Sequence, residues 1–162
     1  MKKGSIFLII VFWFLILLLL PFITVLLNKK LNFANYNFIY LFYIGIFILI
    51  MGIMLLILSL YLLINAGKGT PLPLDPPKKF VASGIYKYTR NPMVLGYLLT
   101  VLGEYLLIGN TLLGIYVLLL FLLFHLYIVL IEEPELEKRF GDKYLLYKKR
   151  VPRWFPVRIK TK

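Results

Sequence analysis

Four long apolar stretches constrain the fold of this chain more than any other feature of its sequence. They cover residues 5–27, 38–64, 92–108 and 111–131. A helix needs roughly 20 residues to cross the hydrocarbon core of a bilayer, and each stretch meets or approaches that length. Hydrophobic residues make up 61% of the chain and its mean hydropathy is +0.87, whereas soluble domains are roughly 45–50% apolar. The sequence therefore predicts an all-α polytopic membrane protein with about four transmembrane helices.

We expect a single membrane-embedded domain over residues 1–162. Two N-terminal spans occupy residues 1–64, and residues 65–162 supply a polar loop, a helical hairpin and an amphipathic tail. Lys2 and Lys3 precede the first apolar run, as they would in a signal peptide. That run exceeds the usual apolar core of about 7–15 residues and lacks a small-residue cleavage site. It is therefore predicted to be a membrane anchor, with a kink near Pro21.

The basic residues predict the orientation of the chain in the membrane. If both termini are cytoplasmic, all of the 19 Lys and Arg residues except Lys29 and Lys30 lie on the cytoplasmic side. Such an asymmetry is the main signal of membrane topology. The net charge of +12 then reflects attraction to anionic membrane lipids, because the charges flank spans and do not form the basic patch of a nucleic-acid-binding domain. Nucleic acid is therefore not an expected partner, and oligomeric state is left open.

Thiol and metal chemistry are poorly supported by the composition. The chain has no cysteine, and His125 is its only histidine. The sequence therefore predicts neither a disulfide nor an ordinary His/Cys metal site.

The junction between the polar loop and the third span is the best indication of a binding site. The loop over residues 65–90 contains Pro71, Pro73, Pro76 and Pro77, which favour an extended backbone. Asn91 and Pro92 then suit the N-cap and first position of a helix, whose free N–H groups attract a carboxylate. Glu132 ends the antiparallel partner helix and should return to the same side, where its charge suits an ammonium group. A zwitterionic amino-acid moiety would fit between the two.

The C-terminal tail has the pattern of an interfacial amphipathic helix. Leu136, Phe140, Tyr144 and Tyr147 recur at helical spacing, and most of the basic residues lie on other faces. We expect this helix to start near Pro134 and to break around Gly141.

Several of these segments resemble one known family. The run Gly84-Ile-Tyr-Lys-Tyr-Thr-Arg-Asn-Pro92 is followed by Gly96, by Glu132-Glu133, by Phe140-Gly-Asp-Lys-Tyr-Leu-Leu-Tyr147 and by Val151-Pro-Arg-Trp-Phe-Pro156. In this order and spacing they resemble the isoprenylcysteine carboxyl methyltransferases and related phospholipid methyltransferases. The resemblance covers about residues 78–156 and leaves out the first two spans.

The resemblance implies an S-adenosylmethionine-dependent membrane methyltransferase with a cofactor pocket at the cytoplasmic face and a lipophilic acceptor. It also implies which positions hold the cofactor: Lys78, Lys79, Phe80, Val81, Tyr86, Asn91, Pro92, Met93, Val94 and Glu132. Two positions depart from the family pattern, in which Arg-His-Pro is usual and an arginine stands four residues before the glutamate. Asn91 replaces the histidine, and Ile128 replaces the arginine that would suit a substrate carboxylate. A prenylcysteine carboxylate is therefore not the expected acceptor.

Glu104 and His125 are the two other ionisable residues within the predicted spans, and both are candidates for a catalytic role. Glu104 shares a face with Tyr97 and Thr100, while His125 lies seven residues before Glu132 on the same face of its helix. A structural role remains open for each. Two other functions also remain open: a small four-span transporter in which Glu104 carries protons, and a lipid-binding membrane subunit without catalysis. A small-residue face on the third span, formed by Gly96, Thr100 and Gly103, predicts close helix packing.

Overall fold

A computed structural model describes residues 3–36, 38–71 and 76–154 of the protein. Its helices are α1 (Lys3–Phe14), α2 (Leu20–Lys30), α3 (Ile39–Asn65), α4 (Pro92–Ile108), α5 (Thr111–Tyr127), α6 (Glu133–Phe140) and α7 (Asp142–Arg150). Single π-turns join α1 to α2 (Leu15–Leu19) and α5 to α6 (Ile128–Glu132), and a 3₁₀ turn covers Gly84–Lys87. The prediction of an all-α fold is confirmed.

Three helices are long and apolar enough to cross a membrane: Phe7–Lys30, Ile39–Asn65 and Thr111–Phe140. The fourth apolar helix, α4, has 17 residues and is shorter. These four helices confirm the predicted polytopic membrane protein. In the first of them, regular α-helical bonding is interrupted at Leu15–Leu19, just ahead of Pro21, and a π-turn of this kind is a recognised site of helix bending.

Helices α3 and α4 pack with their backbones in near contact. A Cβ atom added at Gly52 would lie 2.5 Å from the backbone nitrogen of Thr100, and one added at Gly103 would lie 2.6 Å from Cβ of Leu49. Only glycine fits at such a distance. The small-residue face of α4 therefore packs closely against α3 as predicted.

The turn between α4 and α5 is held by an amide cluster of Asn28, Asn35 and Asn110. Asn28 Nδ2 donates to Asn35 Oδ1 at 3.1 Å and to the Phe33 carbonyl at 3.0 Å, while its Oδ1 accepts from the backbone N–H of Leu112 at 3.0 Å. Asn110 caps α5 by accepting from the N–H of Leu113 at 3.0 Å. These bonds tie the end of α2 to the start of α5.

The tail continues the last span and then turns back. Helix α5 runs through the π-turn into α6 without a break, and the chain reverses at Gly141, whose φ of +54° favours glycine. The predicted break is confirmed. The predicted apolar face of the tail is confirmed as a shared face, but it is directed inward: Tyr144, Tyr147 and Val151 are buried, with Phe80, Leu136 and Phe140 packed against them.

Candidate functional site

A cavity of about 450 Å³ lies where the N-terminal end of α4 meets the junction of α5 and α6. Its walls come from α1, the polar loop, α4, the α5–α6 helix and α7. The lining residues are Ile9, Phe12, Trp13, Leu63, Pro71, Pro76, Pro77, Lys79, Phe80, Val81, Tyr86, Arg90, Asn91, Pro92, Met93, Val94, Tyr97, Phe124, Tyr127, Glu132, Glu135, Leu136, Arg139, Phe140, Tyr144 and Tyr147. All of the predicted cofactor-binding positions except Lys78, which is exposed, line this one cavity.

The polar loop reaches the cavity by folding back on the end of α3. A Cβ atom at Gly69 would lie 2.5 Å from the carbonyl oxygen of Pro76, and the N–H of Lys79 donates to the carbonyl of Gly67 at 3.0 Å. This contact places Phe80 against the tail, with its ring centroid 5.0 Å from that of Tyr147 and 5.4 Å from that of Phe140. The loop and the tail therefore form one wall together.

Tyr86 is held in that wall by the tail. The hydroxyl of Tyr147 donates to the Tyr86 carbonyl at 2.7 Å. Burial raises the pKa of the Tyr86 phenol above its ordinary value, and the nearby charge of Glu132 raises it further. Tyr86 therefore keeps its proton, and its side chain is also hydrogen-bonded to Ser59 of α3.

Asn91 precedes α4 as predicted, but the expected capping bond is wrong. Its side chain makes no bond to the first turn; instead Nδ2 donates to the carbonyl of Arg153 at 3.2 Å, and Thr89 Oγ1 donates to the same carbonyl at 3.0 Å. The Asn91 side chain therefore bonds to the segment after α7 and not to the first turn of α4. Because the first intrahelical bond runs from Leu95 to Asn91, the N–H groups of Met93 and Val94 precede the helical ladder and have no intrahelical acceptor.

Glu133 is the buried anchor of this end of the molecule. Its side chain is 4% exposed. Arg153 Nε donates to Oε1 at 2.7 Å, Arg90 Nη1 lies 2.9 Å from Oε1 at ion-pair distance but outside hydrogen-bond geometry, and Lys148 Nζ lies 3.2 Å from Oε2. Hydrogen bonding to Glu137, and to Glu133, raises the pKa of Lys148 above its usual value. The cluster joins the loop, α6, α7 and the segment after α7.

Glu132, its neighbour, has the opposite environment. It lines the cavity, and among residues 3–36, 38–71 and 76–154 no ion pair or hydrogen bond is formed by its carboxylate. Met93 and Val94, whose N–H groups have no intrahelical acceptor, line the same cavity at the start of α4. The site therefore offers one negative group for a cation and one set of donors for an anion.

The two candidate catalytic residues lie outside the cavity lining. Nδ1 of His125 accepts from the indole N–H of Trp154 at 3.2 Å, and the two rings stack. Glu104 has one carboxylate oxygen, Oε2, that is buried with no hydrogen-bond partner in the described part of the chain. Ile128 is fully buried within the π-turn and also lies outside the lining.

Sequence reasoning missed the wall that α1 contributes. Ile9, Phe12 and Trp13 line the cavity, and the ring of Trp13 lies edge-on to that of Tyr97 with centroids 5.9 Å apart. In the sequence these residues stand in a run that is apolar on every side, so periodicity gives no direction for them. Arg139 was also missed; its Nη2 donates to the Pro77 carbonyl at 2.6 Å and so holds the loop over the cavity.

Two comparisons relate the chain to known proteins. Residues 36–143 match the family model described as phospholipid methyltransferase. Over 77 residues the chain is 35% identical to the Protein-S-isoprenylcysteine O-methyltransferase of Schizosaccharomyces pombe, and the aligned part covers 48% of this chain and 33% of that protein. The chain thus spans about a third of the length of the curated relative that it matches.

Proposed function

The chain belongs to the phospholipid methyltransferase family, and we propose that this membrane methyltransferase takes its methyl group from S-adenosylmethionine bound in the cavity. One observation carries the proposal. Glu132, whose carboxylate has no ion-pair partner in the described part of the chain, and the first turn of α4, whose N–H groups have no intrahelical acceptor, line one cavity, an arrangement that suits the ammonium and carboxylate of an amino-acid moiety. A volume of about 450 Å³ is within the usual range of small-molecule sites, roughly 300–1,000 Å³.

The neighbouring residues would orient and enclose the cofactor. Phe80 and Tyr86 supply two aromatic side chains in the wall that the loop shares with the tail, and Met93 and Val94 line the cavity at the start of α4. The sulfonium group of S-adenosylmethionine supplies an electrophilic methyl group. Because such a donor needs little acid or base assistance, alignment and exclusion of water are the main tasks of this chain. His125 and Glu104, which lie outside the lining, have no place in that step.

We propose a lipophilic acceptor whose reacting group is an amine, a thiol or another headgroup and is not an anionic carboxylate. The apolar part of the cavity wall comes from membrane-embedded residues, chiefly Phe12, Trp13 and Phe124. The arginine that would suit a carboxylate is replaced by Ile128, which is buried away from the cavity. The lipid that gains label when membranes are incubated with methyl-labelled S-adenosylmethionine identifies the acceptor; efficient labelling of a farnesylated cysteine carboxylate would contradict this assignment.

The proposed site faces the cytoplasm, with both termini on that side. This orientation puts the basic loop and tail inside and leaves Lys29 and Lys30 outside. The chain has no cysteine, so a single cysteine introduced at Asn35→Cys is a clean probe. It should react with an impermeant reagent from the external side only; reaction from the cytoplasmic side would reverse the orientation.

Cofactor binding is tested with Glu132→Gln. Loss of the charge should weaken S-adenosylmethionine binding by about 1–3 kcal/mol, because a charge-assisted contact becomes a neutral one. Titration calorimetry on the purified protein in detergent measures the change. Glu104→Gln is the matched control: it alters a carboxylate of the same kind outside the cavity and should leave the affinity unchanged. Equal affinity for wild type and Glu132→Gln would show that Glu132 does not contact the cofactor. Absence of binding by the wild type would contradict S-adenosylmethionine as the cofactor.

A further inference from the structure

The segment after Phe140 returns toward the membrane. The α5–α6 helix spans Thr111–Phe140, 30 residues, or about 45 Å at 1.5 Å per residue, which is longer than the hydrocarbon core of roughly 30 Å. Helix α6 therefore extends beyond the bilayer. After the reversal at Gly141, the chain descends until Trp154 contacts His125 on α5. Helix α7 thus lies between the far end of α6 and the level of the membrane surface.

The two sides of α7 differ in burial and in charge. Tyr144 and Tyr147 on the inner side are 2% and 8% exposed and line the cavity. On the outer side Leu145 and Leu146 are 41% and 54% exposed. Three basic residues of α7 are also exposed, and none of them forms an ion pair within the described ranges: Lys143, Lys149 and Arg150.

We propose that this outer face of α7, formed by Leu145, Leu146, Lys149 and Arg150, docks on the anionic headgroups of the same membrane. Exposed leucines beside basic residues are the chemistry of helices that lie in a lipid interface, and anionic leaflets attract such basic segments. Because the chain returns toward the membrane along α7, this face lies close to the level of the lipid headgroups. The sequence beyond Trp154 adds Arg158, Lys160 and Lys162 and no acidic residue, which is consistent with an anionic surface as the partner.

This assignment differs from the one that sequence periodicity favours. The face with Leu136, Phe140, Tyr144 and Tyr147 packs against the loop, so it is not free to enter the lipid. The leucines that the periodic pattern omits are the exposed ones. One helix therefore has two apolar faces with separate tasks, the first within the protein and the second toward the bilayer.

A fluorescent probe at Leu146→Cys tests the proposal, because the chain has no other cysteine. The labelled protein is placed in nanodiscs of neutral phosphatidylcholine alone or with roughly 30% phosphatidylglycerol, with brominated acyl chains as quencher. Quenching should be on the order of twofold greater with the anionic lipid, and high salt should reverse the gain. Adding Lys149→Gln and Arg150→Gln should abolish the difference.

The matched control adds Lys29→Gln and Lys30→Gln, which remove the same charge from the opposite end of the spans and should leave quenching unchanged. Equal quenching in both lipids, or no effect of removing Lys149 and Arg150, would overturn the proposal. A signal that depends on protein concentration and not on lipid would instead assign the face to a second copy of the chain. These readouts do not depend on cofactor binding or methyl transfer.

Discussion

The two ends of the α4–α5 hairpin bury polar groups in opposite ways. At the turn, Asn28 and Asn110 are 0% and 2% exposed. Both side-chain amides donate to Asn35 Oδ1, and both amide oxygens accept from backbone N–H groups at the start of α5. At the other end, Glu132 and the first N–H groups of α4 face a cavity without such partners in the described residues. The first end is closed by the protein itself, and the second encloses the cavity that we propose as the ligand site.

The difference shows how burial alone fails to identify a functional residue. A buried polar group is costly unless it is hydrogen-bonded, so a carboxylate that lines a cavity without a protein partner is suited to a ligand, whereas the unpartnered oxygen of Glu104 lies outside the cavity. Glu132 and Glu133 make the point within one dipeptide. Glu133 is surrounded by Arg90, Lys148 and Arg153, while Glu132 faces the cavity.

The largest expected effect comes from Glu133→Ala. It would leave Arg90, which is 10% exposed, as an uncompensated buried charge, and the free energy of unfolding should fall by about 3–5 kcal/mol. Denaturation in mixed micelles measures the loss. Glu135→Ala is the control, because the Glu135 side chain is 51% exposed and surface pairs contribute about 0–1 kcal/mol. Equal stability of the two variants would mean that the charged cluster does not hold the cavity end together.

Asn28→Ala should have the next largest effect, and at the opposite end. Asn28 is itself fully buried, and loss of its three hydrogen bonds leaves the Leu112 N–H and the Phe33 carbonyl without this partner, so the protein should lose about 2–3 kcal/mol of unfolding free energy. Affinity for S-adenosylmethionine should not change. Asn65→Ala, at an exposed amide that bonds to Tyr61, should stay within about 0.5 kcal/mol of wild type. A change in ligand affinity in Asn28→Ala would break the separation between the two ends.

The smallest effect is expected for Asn91→Ala, about 1 kcal/mol of unfolding free energy, through loss of the bond to the Arg153 carbonyl. Asn91→Ser distinguishes this cause from helix capping. Serine caps a helix about as well as asparagine, but its shorter side chain cannot take over the longer reach of the amide to Arg153. Both variants should therefore melt at the same temperature. Wild-type stability in Asn91→Ser would restore the capping role.

Much of the fold could be predicted because membrane helices follow from local composition. The first three expected spans agree with the helices to within a few residues, and the fourth starts as expected but continues to Phe140. The small-residue face and the break at Gly141 were identified from single residue types. The cavity lining was predictable only where a motif marks it, and the roles of those residues stay predictions. The walls from α1 could not be predicted, since Phe12 and Trp13 lie in a uniformly apolar helix.

Contacts between distant segments were also beyond sequence reasoning. Nothing in the sequence around Asn91 shows that its side chain will donate to the Arg153 carbonyl and not cap the helix. Nor does the dipeptide Glu132-Glu133 show which carboxylate will meet the three cations. Both outcomes depend on the path by which the tail returns.

That path also sets an order for biogenesis. The backbone carbonyl of Arg153 accepts hydrogen bonds from the side chains of Thr89 and Asn91, which are 64 and 62 positions earlier in the chain. Contacts of such long sequence separation form late, and a chain that is still being synthesised has all four apolar helices before it has Arg153. The helices can enter the membrane first, while the wall made by the loop stays open until the tail leaves the ribosome. A nascent chain therefore completes the wall of the cavity, and with it the proposed ligand site, after its helices have entered the membrane.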